Sequence, residues 1–192
     1  MFSVIKNSRI KEKCQIFTPQ KQIEKMLDLA SYKKNLYGKK FLENSCGDGG
    51  ILTQAVVRYI EDCRNKRFSR KKIKLGLESD FVAYEVDDKR VEECICKLNA
   101  ITANYKITEV SWNIKCEDYL ASKDDTKFDF IVGNPPYIAY PDLPIDVQKY
   151  LKDNFESCQK GKFDYSYAFI EKSYLELKDG GSLVYIIPSN IY

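Results

Sequence analysis

The segment Phe128-Asp129-Phe130-Ile131-Val132-Gly133-Asn134-Pro135-Pro136-Tyr137 joins a short apolar run to a double proline. Phe, Ile and Val suit a strand covered on both faces, so the run reads as a buried β-strand. The strand must stop at the prolines, which cannot donate to a sheet ladder and hold φ at about −65°. Asn134 is therefore fixed at the strand's C-terminal edge, where open α/β sheets bind ligands. The corner offers a carboxamide, a proline carbonyl and a phenol ring, and carries no carboxylate, thiol or imidazole. Such a set accepts the hydrogens of a planar amino group and stacks on its face.

Upstream, the chain alternates strand and helix. Phe17-Thr18-Pro19 leads into Ile23, Met26, Leu27 and Ala30 at helical spacing, with Thr18 as the expected N-cap and Pro19 as the first helical residue. A short strand ending near Glu43 runs into Asn44-Ser45-Cys46-Gly47-Asp48-Gly49-Gly50, and a helix follows with Ile51, Leu52, Ala55, Val56, Tyr59 and Ile60 on one face. Glycines in such a turn let backbone approach a ligand, and the helix N-terminus offers free N–H groups. The spacing is neither G-x-G-x-x-G nor a phosphate loop, and by itself the turn is equally a plain strand-to-helix connection.

Phe81 to Glu85 reads as the next strand, tipped by an acid able to chelate two ribose hydroxyls. A helix capped by Asp88 presents Val91, Cys94, Ile95 and Leu98. Val110 to Lys115 is the third strand, followed by Asp118, either an acceptor for an adenine amino group or a turn aspartate. Beyond the double proline come a loop at Tyr140 to Pro144 and a helix over Ile145 to Phe155. A further helix opens at Lys162 to Ser166, with Ala168, Phe169, Tyr174, Leu175 and Leu177 as its apolar surface. Gly180-Gly181 ends that helix, and Ser182 to Ile187 is the fifth strand. This alternation predicts an α/β fold with a doubly wound, mainly parallel sheet.

Composition narrows the chemistry. The 192 residues suit one domain, and the hydrophobic fraction of 44% with 31% charged residues is ordinary for a globular protein. No apolar run reaches membrane-spanning length, and residues 1–13 lack a signal-peptide core. Seven cysteines are scattered and histidine is absent, which argues against zinc and against histidine general bases. The thiols are expected to be free, in a reducing cytoplasm. Net charge is only +3, but Arg64, Lys66, Arg67, Arg70, Lys71, Lys72 and Lys74 form a run without an acid. It is either a phosphate footprint or a solvated helix end and loop.

With these residues in place, the chain resembles the S-adenosylmethionine-dependent N6-adenine DNA methyltransferases of type II restriction-modification systems, whose fold is a Rossmann-like class I methyltransferase sheet. Asn134-Pro135-Pro136-Tyr137 resembles their catalytic tetrapeptide. Phe17-Thr18-Pro19, ahead of the Gly-rich turn, resembles the cofactor motif that marks the gamma-class order. The resemblance assigns cofactor contacts to Phe17, Thr18, Pro19, Glu43, Asn44, Ser45, Cys46, Gly47, Gly49, Glu85, Val86, Asp118, Tyr119 and Asn134. It assigns the target-base pocket to Tyr137, Tyr165 and Tyr167, with Ile186-Ile187-Pro188-Ser189-Asn190 flanking it. Glu43-Asn44 departs from the usual Asp-Pro, keeping the acid and losing a stiff turn.

The resemblance implies one catalytic domain over residues 1–192, lacking its last two strands and its target-recognition domain, which a further region or a second polypeptide would supply. It implies double-stranded DNA as partner and no metal. The tetrapeptide also occurs in methyltransferases acting on a release-factor glutamine or on guanine amines in RNA. A cofactor-binding or assembly subunit without activity of its own is the remaining alternative.

Overall fold

The computed structural model describes residues 18–187, so Phe17 and the segment 188–192 lie outside the description that follows. Among the described residues the strands β1 (Phe41–Glu43), β2 (Phe81–Glu85), β3 (Ile114–Cys116), β4 (Phe128–Gly133) and β5 (Leu177–Tyr185) form one sheet. Every pairing is parallel, in the order β3-β2-β1-β4-β5. The helices are α1 (Gln20–Leu29), α2 (Gly50–Asn65), α3 (Arg70–Asp80), α4 (Asp88–Asn104), α5 (Ile145–Asn154) and α6 (Ser166–Glu176). This order is the Rossmann-like one expected for the class I methyltransferase fold. The chain winds outward from β1 through β2 to β3, then returns to the other side of β1 for β4 and β5. The order thus reverses between β1 and β4, which opens a crevice at their C-terminal ends.

Strand residues alternate between two apolar cores, as the pleat requires. Phe41, Phe81, Ala83 and Val132 pack against α1 to α4. Leu42, Val82, Tyr84 and Ile131 face the opposite core, built from Val147 and Leu151 of α5 and Ala168 and Phe169 of α6. Edge-on ring contacts bind the first core, with Tyr32 centred 5.0 Å from Phe41 and 4.9 Å from Phe130. None of the described helices is long and apolar enough to cross a membrane, and the described cysteines are free thiols.

Several local expectations are corrected. The cap of α1 is Pro19, without a side-chain cap, and Thr18 turns its hydroxyl to another partner described below. Asp87 rather than Asp88 caps α4, accepting from Lys89 N at 3.1 Å. The third strand is confined to Ile114–Cys116. The basic run contains an additional helix, α3, capped by Ser69 and buried through Ile73, Gly76 and Leu77. Its apolar spacing was masked by the intervening lysines. Gly180-Gly181 does not end α6, which stops at Glu176. The pair sits inside β5, where the ladder jumps from Phe128↔Leu177 to Phe130↔Ser182 and Gly180 takes φ +74°. Tyr174 and Leu175 are exposed, not core.

The lead-ins to β1 and β2 are joined by one carboxylate. Asp80 Oδ2 accepts from Gly38 N at 2.7 Å and from the Tyr59 hydroxyl at 2.6 Å. Tyr59 reaches it by crossing Gly76, where a Cβ would stand 2.0 Å from the phenol oxygen and 2.8 Å from the Tyr37 ring. Gly→Ala inside a helix ordinarily gains about 1 kcal/mol. Here overpacking at about 1–3 kcal/mol wins, so Gly76→Ala is expected to lower the urea midpoint, with the Tyr59→Phe background recovering part of the loss.

Candidate active site

A cleft of about 310 Å³ opens at the C-terminal ends of β1, β2 and β4. Its floor is the turn after β1. Cys46 N donates to the Tyr84 carbonyl at 2.9 Å, which bends the chain across β2. Gly47 and Gly49 then adopt φ +53° and +85°, and a Cβ on Gly49 would lie 2.5 Å from Cys94 Sγ. Glycine is required at Gly49 by both backbone and packing. The hydrogen bond with Cys94, and then burial, push the Cys46 thiol well above its ordinary pKa, so it packs as an apolar side chain.

Glu85 closes one side. Its Oε2 accepts from Gly47 N at 2.9 Å, and its Oε1 accepts from Val86 N at 2.9 Å and Asp87 N at 3.0 Å. The acid is thereby locked at the tip of β2, against the turn it serves. Val86 lines the same wall. Asp118 stands beyond it at 8% exposure. One oxygen caps the following turn, taking Leu120 N at 2.9 Å, and Oδ2 has no partner. Both sequence readings of Asp118 are thus compatible, one for each oxygen. Burial raises its pKa to about 6.

Opposite these acids is the end of β4. The Asn134 carbonyl accepts from Ser45 Oγ at 3.1 Å, which ties the double-proline corner to the Gly-rich turn. Asn134 Nδ2 donates to Thr18 Oγ1 at 3.2 Å. The Tyr137 hydroxyl lies 2.8 Å from Asn134 Oδ1 and also meets the Ile186 carbonyl. The ring is therefore folded inward and does not line the cleft, whereas Asn134 and Pro136 do. Tyr165 is fully buried with its ring 5.4 Å from Phe169, and neither it nor Tyr167 borders the cleft.

The electrostatics of the cleft are one-sided. Glu43, Asp48, Glu85, Asp87, Glu117 and Asp118 line it against one basic side chain, Arg90. Asp48 is paired with Lys97 at 2.6 Å. Glu43 is 2% exposed with Oε2 unpartnered, and burial raises its pKa well above the ordinary carboxylate value. Such walls repel phosphates and favour a ligand with positive charge and several N–H or O–H donors. Arg90, Glu117, Ile51 and Phe169 are lining residues that no motif flagged. Only Arg90 had a signal, one helical turn beyond the acid-tipped strand.

The basic run of Arg64 to Lys74 lies elsewhere. Arg64, Arg67 and Arg70 border a second depression with Tyr105 and Lys106, at the ends of α2 and α4 remote from the cleft.

Comparison with known proteins follows this geometry. The family model described as Eco57I restriction-modification methylase matches residues 25–192. The modification methylase CviBIII of Paramecium bursaria Chlorella virus NC1A is 34% identical over 91% of this chain, which spans 37% of that protein's length. Type II methyltransferase M.HincII of Haemophilus influenzae is 29% identical over 93% of this chain and 28% of its own length. A cryo-electron microscopy structure of a DrdV–DNA complex shares the fold, with a TM-score of 0.69 at 16% identity over 95% of this chain and 21% of that one.

The raised pKa of Asp118 has a stability consequence. The folded state keeps the proton up to about pH 6, whereas the unfolded chain releases it near 3.8. Between these values the folded state binds more protons, so its stability falls as pH rises, by on the order of 2–3 kcal/mol in total for this group. Asp118→Asn is expected to flatten that part of a thermal-melting profile taken from pH 4 to 7.

Proposed function

The chain belongs to the Eco57I restriction-modification methylase family, and on that premise we propose that it carries the catalytic core of a site-specific DNA methyltransferase acting on the N6 amine of adenine. Its cofactor in this reading is S-adenosylmethionine, and its substrate is double-stranded DNA. The observation that carries the reading is the meeting of Asn134 with the acid-lined cleft across Ser45. Recognition of the DNA sequence is assigned to polypeptide outside residues 1–192, in the same protein or in a partner.

The residues present fit this cofactor. Glu43 Oε2, Asn44 Oδ1 and Asp118 Oδ2 are buried acceptors without partners, and all three residues line the cleft. When bound, S-adenosylmethionine supplies a methyl group activated by its sulfonium centre. Glu85 Oε2 accepts from a ribose hydroxyl in this reading, because it keeps a lone-pair site beyond the Gly47 N bond, whereas Oε1 already takes two backbone N–H groups. Asp118 Oδ2 is placed to accept from an adenine amino group. Thr18, Ser45 and the turn Cys46 to Gly49 shape the end of the cleft nearest Asn134.

The target amine is a weak nucleophile, since its lone pair is delocalised into the ring. Asn134 Oδ1 and the Pro135 carbonyl accept its two hydrogens and favour a tetrahedral nitrogen, which restores the lone pair. The prolines fix the direction of both acceptors, and this positioning is the protein's main contribution. Tyr137 must leave Asn134 Oδ1 for the amine to enter. The phenol's hydrogen bond contributes about 0.5–1.5 kcal/mol, whereas stacking on a base contributes about 1–3 kcal/mol. An extruded adenine thus favours the outward ring, which then covers it. The facing wall falls to Tyr165 or Tyr167 in this reading, Tyr165 being fully buried and Tyr167 packed against the second core and partly exposed.

The direct test is transfer of labelled methyl from S-adenosylmethionine by the full-length polypeptide into DNA, with RNA and release factor offered in parallel. Label appearing at N6 of adenine is the expected result, and label in guanine or glutamine would replace this reading with another. Asn134→Ala is expected to abolish transfer while cofactor affinity stays within a few-fold. Glu85→Ala is expected to weaken cofactor binding by about 1.5–3 kcal/mol, roughly 10- to 150-fold in Kd. Equal loss of binding in both variants would show that the roles are wrongly divided.

A further inference from the structure

The second depression, of about 350 Å³, lies where α2 and α4 end and α3 begins. Helix α2 closes with Arg67 N donating to the Arg64 carbonyl at 2.8 Å and Phe68 N to the Cys63 carbonyl at 3.0 Å. Helix α4 closes the same way, with Lys106 N donating to the Ala103 carbonyl at 2.9 Å and Ile107 N to the Thr102 carbonyl at 3.0 Å. Each pair of bonds is the Schellman arrangement, whose left-handed residue is ordinarily glycine. Here those residues are Arg67, at φ +58°, and Lys106, at φ +59°. The same turn ends α1 with Ser31, so its geometry does not itself call for a cation. Both cations border the depression, Arg64 and Arg70 join them, and the buried Ile73 and Ile107 lie beneath.

Folding splits the basic run into paired and unpaired members. Lys66 pairs with Asp62 at 3.1 Å and Lys74 with Glu78 at 3.1 Å, while Lys72 stands 3.6 Å from the centre of the Phe68 ring. Among the described residues no carboxylate pairs with Arg64, Arg67, Arg70 or Lys106. Arg64 lies 5.3 Å from the centre of the Tyr105 ring, and the Tyr105 hydroxyl is taken by Glu61 at 3.4 Å. A cation near a helix C-terminus is favourable in itself, which is the plain structural account. The magnitudes do not balance, because each helix end carries only about −0.5 charge against four full positive charges. Roughly two positive charges remain even after Glu61 is counted. An excess of this size in a concave site attracts an anion from outside the chain, and guanidinium forks match the oxygens of phosphate.

We propose that this depression holds backbone phosphates of DNA outside the site of methylation, with Arg64, Arg67, Arg70 and Lys106 as the contacts. The proposal rests on the DNA reading above and adds a second contact to it. DNA is favoured because the catalytic cleft is walled by acids, so attraction for a phosphate backbone comes from other faces of the chain. The sixteen residues of α2 separate the Gly-rich turn from the depression by about 24 Å. The phosphates held there are therefore not those of the extruded nucleotide. The contact reads no base and supplies sequence-independent attraction.

Fluorescence anisotropy of the 192-residue chain with a labelled duplex, titrated from about 50 to 200 mM potassium chloride, tests it. Each phosphate contact contributes about 0.9 to the slope of log K against log salt. Replacing Arg64, Arg67 and Arg70 together by Gln is expected to flatten the slope by about 2 to 3, and each replacement alone by about 1. Lys66→Gln with Lys74→Gln removes two charges from the same run and is expected to leave the slope unchanged, since both lysines are already paired. An unchanged thermal midpoint shows that a variant is folded, and the single variants carry the test if the triple one unfolds. An unchanged slope in the arginine variants, equal flattening by the paired lysines, or no duplex binding by the unaltered chain would overturn the proposal. Displacement of the duplex by polyglutamate as readily as by unlabelled DNA would also overturn it, and would assign the surface to an acidic protein. None of these measurements involves methyl transfer, so each of those results leaves the N6 reading standing. Label absent from DNA in the transfer assay would remove that reading, with the slopes still measurable.

Discussion

The pairing of β1 with β4, Phe41 against Phe130 and Leu42 against Ile131, is the constraint on which the site depends. Two strands distant in sequence end side by side at the point where the sheet reverses its order. The turn after β1 takes left-handed backbone that glycine permits, at Gly47 and Gly49, and the turn after β4 is made stiff by proline. Ser45 Oγ bonds the Asn134 carbonyl and joins the two. One turn thus bends sharply across the sheet edge while the other holds its carbonyl and carboxamide at fixed directions. Without the parallel ladder, neither sequence would face the other.

The acids around this junction serve different ends because they meet different surroundings. Glu85 is gripped by three backbone N–H groups and is thereby a fixed feature of the wall. Glu43 is enclosed with one oxygen unpartnered, and burial raises its pKa. Asp118 is intermediate, capping a turn with one oxygen and presenting the other. Carboxyl groups of the same chemistry thus differ in ionisation and in the donors they meet, according to desolvation and neighbours. Buried polar atoms without partners cost stability.

Much of the architecture was legible in the chain. The strand ending at Glu85, the helix after the Gly-rich turn and the strand before the double proline are readable from their apolar runs and the residues that end them. Helix α3 was not legible, because lysines at its exposed positions hid the Ile73, Gly76 and Leu77 stripe. Gly180-Gly181 misled, because a glycine pair ends helices and also permits an irregularity within a strand. The inward fold of Tyr137 and the burial of Tyr165 were likewise invisible, since both depend on Ile186 and Phe169 arriving from other elements.

What the sequence determined by itself was local: which segments alternate, where glycine and proline force turns, and which side chains stand at the strand tips. Periodicity and backbone sterics act over a few residues, so one chain suffices to reveal them. What the tertiary structure decided was orientation and ionisation. The buried hydrogen bonds joining Asn44, Ser173, Tyr185, Tyr119 and Glu176 need several elements to meet, and the raised pKa of Glu43 depends on how completely the surrounding elements exclude water. Hydrogen-bond networks and desolvation are properties of an enclosed assembly of side chains, and no stretch of sequence contains that enclosure.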